Sequence, residues 1–276
     1  MTGRLAGNGQ PLFYSLYYHM NIAFISAVLP VLVLLYFIYK KDKYQPEPIG
    51  KLIWVFIVGC FSVVPAALME AVIMPFAPSA ETLPVLNGVF NGYAVAGFSE
   101  ELCKLLLLLW VIWRSPHFDE YFDGIVYAAY LSLGFACVEN IGYVFQGSDQ
   151  MLTALMRGVL AVPAHFLFAV TMGYYVSLAK FDPEHRSSHL WKAFLFPMLL
   201  HGTYDALLMV SGTIGEAYGE ESTAVIATCG VLIIVFIIFD VKMWKWGLKR
   251  IKRLQERSKE QDFDRRHPFD GFTWNF

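Results

Sequence analysis

The sequence predicts an all-α fold: a polytopic membrane bundle of about seven transmembrane helices, N-terminus outside and C-terminus cytoplasmic. Three observations carry this. Hydrophobic residues make up 57% of the 276 and charged residues only 16%, with a mean hydropathy of +0.48, which is too apolar for a water-soluble domain. The apolar residues gather into runs of about 20 or more, the length a helix needs to cross the hydrocarbon core of a bilayer. Lysine and arginine collect in alternate connections between those runs.

Taken in order, the runs lie near residues 17–39, 50–76, 87–113, 123–146, 153–179, 190–212 and 222–246. The first begins near Tyr17 and is long enough to span, so it reads as an uncleaved first helix rather than a signal peptide. The second contains Pro65, which predicts a tilt or kink. The loop "KKDKYQPEPIGK" follows the first run, Arg114 the third, and Lys180, Arg186 and Lys192 the fifth; the tail is basic from Lys242 onward. The intervening loops "APSAETLP", "GSDQMLTALMR" and "SGTIGEAYGEEST" are poor in positive charge. The basic loops are therefore expected in the cytoplasm, which fits an odd number of spans. The organisation expected is one transmembrane domain over 1–247, its motif core at about 87–212, and a basic cytoplasmic tail over 248–276. The stretch "WKWGLKRIKRLQERSKE" reads either as a stop-transfer anchor or as a helix lying on an anionic leaflet.

Cys60, Cys103, Cys137 and Cys229 all fall in apolar runs without zinc or redox spacing, and read as packing residues. Phosphate loops and nucleic-acid modules are absent, as are the GxSG and GxGD signatures of serine and paired-aspartate membrane proteases. The partners expected are the lipid bilayer and no nucleic acid.

Charges inside the runs are the informative feature, because each costs roughly 2.5–3.5 kcal/mol at the centre of a membrane helix on insertion scales. "GFSEELCKLLLLLW" places Glu100, Glu101 and Lys104 in the third run. Glu100 and Lys104 are four apart and share a helix face, which leaves Glu101 to find a proton or another partner. The fourth run carries Glu139 and Asn140, with Phe135 one turn before Glu139; Gly124, Gly134 and Gly142 are expected to allow close helix approach. The fifth carries His165 just after Pro163. The sixth carries His201 and Asp205 on one face, beside Gly202. Any one set has a purely structural explanation, such as a buried ion pair or a packed histidine. Together, four consecutive runs with ionisable groups in the middle or outer half of the bilayer predict a polar cavity open toward the outer face. Glu70, in the outer part of the second run, is the one clear addition from the remaining spans.

At these residues the sequence resembles the PrsW family of intramembrane proteases, itself related to the CAAX prenyl endopeptidases. "EELCK" matches the EExxK motif, "FACVEN" the FxxxEN motif, His165 the third motif helix and "HGTYD" the HxxxD-type motif; Arg157 and "FDGIVYAAYLSLGF" also look like this family. The prenyl endopeptidases typically show EExxxR and FxxxH, where this chain has Lys104 at altered spacing and Glu139 in place of the histidine. The resemblance implies a protease of the bacterial cytoplasmic membrane that cuts a single-span membrane protein, such as an anti-sigma factor, near its outer face.

The residues read as catalytic are Glu100, Glu101, Lys104, Glu139, Asn140, His165, His201 and Asp205. Peptide hydrolysis needs an activated water and a stabiliser for the oxyanion. The resemblance favours Glu100 as base, held by Lys104; Glu139 shares the water or a proton. His201, oriented by Asp205, or the Asn140 amide donates to the oxyanion, and His165 protonates the leaving amine. As a cofactor the sequence leaves open none or zinc; if zinc, Glu100, Glu139, His165 and His201 are the ligands expected. A proton-coupled transporter is the expectation from a different class, since carriers use the same residue types.

Overall fold

The computed structural model describes residues 12–147 and 149–266, the side chains of 12–21 excepted. Its helices are α1 (Leu12–Lys41), α2 (Ile49–Ile73), α3 (Pro84–Phe90), α4 (Phe98–Ile112), α5 (Asp123–Gln146), α6 (Gln150–Val159), α7 (Ala161–Phe181), α8 (Arg186–Tyr218) and α9 (Thr223–Arg266). Among the described residues there is no strand. Six helical stretches are long and apolar enough to cross a membrane: 22–41, 49–76, 123–146, 150–181, 186–218 and 223–266. The remaining apolar run of the sequence corresponds to α3 and α4, which a π-helical stretch, Asn91–Gly97, joins into one helical path. The protein is thus an all-α membrane bundle.

Two runs depart from a uniform α-helix. The π-helical stretch lies directly before Glu100 and Glu101. An extra residue in a helical turn rotates the residues after it by about 100°, so it sets the face on which those glutamates emerge. The fifth run is bent at Leu160, where φ is −110° and ψ −62°. Leu160 lies three residues before Pro163, whose ring crowds the carbonyl of the residue four back and whose nitrogen donates no hydrogen bond. By contrast, α2 continues through Pro65 to Ile73.

α5 and α7 form the centre. Over their apolar stretches 78% of residues are buried, against 22% for α1 and 11% for α9, which face outward with exposed Leu29, Leu32, Ile226 and Val231. Small residues set the close contacts. A side chain at Gly134 would collide with the Phe56 carbonyl of α2, and one at Gly124 with Ser177 and the Gly173 carbonyl of α7. Gly142, expected to act likewise, has only the Gln146 side chain nearby, at 3.8 Å from where a Cβ would stand; it admits no neighbouring helix.

The basic connections gather at one end. Lys180 Nζ donates to the Trp113 carbonyl at 2.9 Å, Lys51 Nζ to the Val111 carbonyl at 3.1 Å, and Gln261 Nε2 to the Asp119 carbonyl at 3.0 Å. α9 runs unbroken past residue 247 to Arg266, burying Gly247, Ile251, Leu254 and Ser258 against the bundle.

Candidate active site

α4 brings Glu100, Glu101 and Lys104 into the bundle, where all three are buried. Lys104 Nζ lies 2.9 Å from Glu100 Oε2 and 2.9 Å from Glu101 Oε1, so one ammonium serves both carboxylates through i,i+4 and i,i+3 spacing. It also lies 3.2 Å from His165 Nδ1 and 3.9 Å from the centroid of the Phe135 ring. Among these contacts the lysine is the local cation, and Phe135 gives it an apolar wall.

α8 supplies the second partner of Glu101. His201 Nδ1 stands 2.9 Å from Glu101 Oε1 and its Nε2 stands 3.1 Å from Asp205 Oδ2. Both ring nitrogens face carboxylates, an arrangement that a doubly protonated imidazole satisfies. The ring stacks on Phe168 at 4.7 Å. Gly202 is what allows this approach: a side chain there would strike the Tyr93 ring, while a Cβ at Gly92 would come within 2.5 Å of the Ala206 nitrogen. The π-helical stretch can therefore lie directly on α8. Tyr93 and Thr203 close the contact with a 2.6 Å hydrogen bond between their hydroxyls.

α5 and α7 complete the cluster. His165 Nε2 lies 2.8 Å from Glu139 Oε2. An ammonium only donates, so Nδ1 of His165 accepts from Lys104 and Nε2 carries the proton toward Glu139. Glu139 is also paired with Arg157 Nη2 at 3.0 Å, from α6. Arg157 Nε donates to Asn140 Oδ1 at 3.0 Å, and its guanidinium lies 4.0 Å from the Tyr143 ring centroid. Asn140, expected as an oxyanion donor, is fully buried; its amide donates to the Ala27 carbonyl of α1 at 2.6 Å, so it holds Arg157 and α1 in place.

A cavity of about 960 Å³ opens beside the cluster, extending to Met74, Pro78 and Glu216. Glu100, Glu139, His165, His201 and Asp205 line it; Glu101 and Lys104 lie behind its wall. Glu70 and Arg157 line it too and stand outside the set of catalytic residues read from sequence. The signal for both is the same as for the others, a charge inside an apolar run.

The donor atoms that come closest differ from the expected metal set. One atom each from Glu100, Glu101, His165 and His201 fall within 4.8 Å of one another, so Glu101 takes the place expected for Glu139, which Arg157 holds.

A family model described as "PrsW family intramembrane metalloprotease" matches residues 47–240. A protein named Protease PrsW from Clostridioides difficile (strain 630) is 35% identical over 252 residues, covering 87% of this chain and 94% of its own. Proteins of the same name from Geobacillus kaustophilus (strain HTA426) and Bacillus subtilis (strain 168) are both 32% identical, covering 86% and 84% of this chain and 93% and 95% of theirs. No solved structure matches the chain. The matched region contains every residue of the cluster, and with it the fold and the multi-pass architecture of a bacterial cell membrane protein are accounted for: the chain belongs to the PrsW family of intramembrane proteases.

Proposed function

We propose that Glu100 activates the water that hydrolyses a peptide bond within a membrane-protein substrate held in the cavity. The observation that carries this is the division of labour between adjacent glutamates: Glu100 lines the cavity, while Glu101 is sealed behind it, held by Lys104 and by the cavity-lining His201. A base must reach solvent and substrate; a positioning carboxylate need not. Lys104 fixes Glu100 in place. The proton that Glu100 takes from the water passes to the leaving amine, and His165, which lines the cavity with its Nε2 proton on Glu139, orients that transfer. His201 Nε2, which stands 3.1 Å from the partly exposed Asp205 carboxylate, donates to the oxyanion once that carboxylate gives way.

The donor types also fit a zinc-type ion, the alternative activator. Glu100, Glu101, His165 and His201 offer two carboxylates and two imidazoles in a buried group, and Oε2 of Glu101 has no partner. Bound there, such an ion supplies an acidified water and polarises the carbonyl. The reading without it is favoured by Lys104, whose ammonium already meets three of the four residues.

The orientation proposed has the basic end in the cytoplasm, supported by the grouping of Lys51, Lys180 and the end of α9. The cavity then opens to the outer side, and cleavage falls in the outer half of the membrane. The substrate proposed is a single-span protein, an anti-sigma factor by resemblance. The test is cleavage of single-span substrates by purified protein in nanodiscs, with zinc content measured and a chelator added. Chelator-resistant cleavage without stoichiometric zinc is expected; loss on chelation and recovery with zinc would transfer the water's activation to the ion. Failure to cleave, with Glu100-dependent proton flux in proteoliposomes, would replace the protease reading with a transporter.

A further inference from the structure

At the opposite end of the bundle from the cavity mouth, a second group of acidic side chains is buried. Asp42 and Glu47 belong to the connection between α1 and α2, Glu120 to that between α4 and α5, and Asp123 opens α5. Their exposures are 5%, 4%, 1% and 0%. One oxygen from each of Asp42, Glu120 and Asp123 lies within 4.8 Å of the other two.

The backbone accounts for part of this group. Asp42 Oδ2 accepts from the Glu47 amide at 2.9 Å, Asp123 Oδ2 accepts from the Asp119 and Glu120 amides at 2.9 and 2.7 Å, and Glu47 accepts from the Tyr127 hydroxyl. Four oxygens are left over: Asp42 Oδ1, Asp123 Oδ1 and both of Glu120. All four are sealed from solvent; Asp42 Oδ1 and both Glu120 oxygens have no hydrogen-bond partner, and Asp123 faces the Glu47 carboxyl. Arg265 pairs with neighbouring Asp119, and among the described residues no lysine, arginine or histidine forms an ion pair with any of the four acids.

Glu120 is the decisive side chain. A glutamate in a turn can ordinarily extend into water, yet here it is turned inward with both oxygens unpartnered. Burying an unpaired carboxylate costs several kcal/mol. In the intramembrane cluster, ion pairs with Lys104, Arg157 and His201 offset that cost; here no ion pair among the described residues does.

We infer that Asp42, Glu120 and Asp123 form a binding site for a hard divalent cation of the Ca²⁺ or Mg²⁺ class, which clamps the α1–α2 and α4–α5 connections together. The donors are all oxygen, with no imidazole or thiol, which selects hard cations over zinc. Ca²⁺ binds oxygens at about 2.3–2.6 Å, so ligands on opposite sides of it stand about 5 Å apart, and the grouping meets that distance.

The site also explains why α9 extends so far. Phe122 N donates to Ser258 Oγ at 2.9 Å, and Tyr121 N to Gln261 Oε1 at 3.3 Å, so the end of α9 braces the connection that carries Glu120. The site is separate from the catalytic cluster: Asp123 opens α5 and Glu139 lies in its second half, about 24 Å farther along the helix.

The test uses the full chain in nanodiscs, stripped with EDTA and titrated near neutral pH with MnCl₂. Bound Mn²⁺ is counted by electron paramagnetic resonance, and CaCl₂ and MgCl₂ serve as competitors; melting is followed by tryptophan fluorescence. We expect one Mn²⁺ per chain, displaced by the hard cations, and a melting point raised by several degrees. Affinity should fall at least tenfold in Glu120→Gln and in Asp42→Asn, either of which suffices should the other not fold, and should be unchanged in His201→Ala. Binding to wild type no stronger than to these variants overturns the proposal and leaves a proton-filled cluster. Loss of binding in His201→Ala overturns it equally, because the ion would then sit in the intramembrane cluster.

Discussion

His201 Nδ1 stands 2.9 Å from Glu101 Oε1, joining two helices that are one hundred residues apart in the chain. Glu101 Oε1 also meets Lys104 at 2.9 Å, so one oxygen ties α4 and α8 through two basic groups. Glu101→Gln keeps the shape and deletes the charge. Both partners are then short of a buried anion, and stability should fall by about 3 kcal/mol. Thermal unfolding in detergent reads this as a lower melting point, with cleavage reduced as a consequence.

Lys104→Met should be at least as damaging. It leaves Glu100 and Glu101 adjacent and buried, with no ammonium between them and His165. A loss of about 3–5 kcal/mol is expected for a buried pair stripped of one partner. A variant that melts like wild type would show that protons, not the lysine, neutralise the pair.

Arg157 should separate activity from stability. Its ion pair with Glu139 is part-exposed, 18% on each side, so Arg157→Gln should cost about 1 kcal/mol or less. Cleavage should nevertheless drop about tenfold or more, because Glu139, which accepts the His165 Nε2 proton, loses its anchor. Arg157→Lys should recover only part, since an ammonium does not reproduce the fork that bridges Glu139 and Asn140. Initial rates and melting points of the three proteins check this.

The glycines give a contrast within one helix. Gly134→Leu should prevent α5 from seating on α2, because its side chain meets the Phe56 backbone. Gly142→Ala, with open space beside it, should stay within about 0.5 kcal/mol of wild type. Expression as a monodisperse peak in detergent distinguishes them.

The motif helices were legible because a charge in an apolar run is conspicuous, and i,i+4 spacing already pairs Glu100 with Lys104 and His201 with Asp205. The bend at Leu160 follows from Pro163. The π-helical stretch did not show in "NGYAVAG", because an extra residue per turn leaves the hydrophobic pattern nearly unchanged. The role of Asn140 was hidden for another reason: its partner is the Ala27 backbone, and backbone partners leave no mark on side-chain patterns. Asp42 and Glu120 sit in polar connections and Asp123 at the first position of an apolar run, where acidic residues read as solvated, and only the tertiary fold reveals that they are buried together.

In the mechanism proposed above, Glu100 performs the chemistry while Glu101 holds the site together. The most direct measurement is the cleavage rate of Glu100→Gln in nanodiscs on a single-span substrate, with its melting point recorded on the same sample. A melting point within a few degrees of wild type is expected, with a rate lower by about 10²–10⁴, the range for loss of a general base. A folded Glu100→Gln protein that cleaves at the wild-type rate would contradict it.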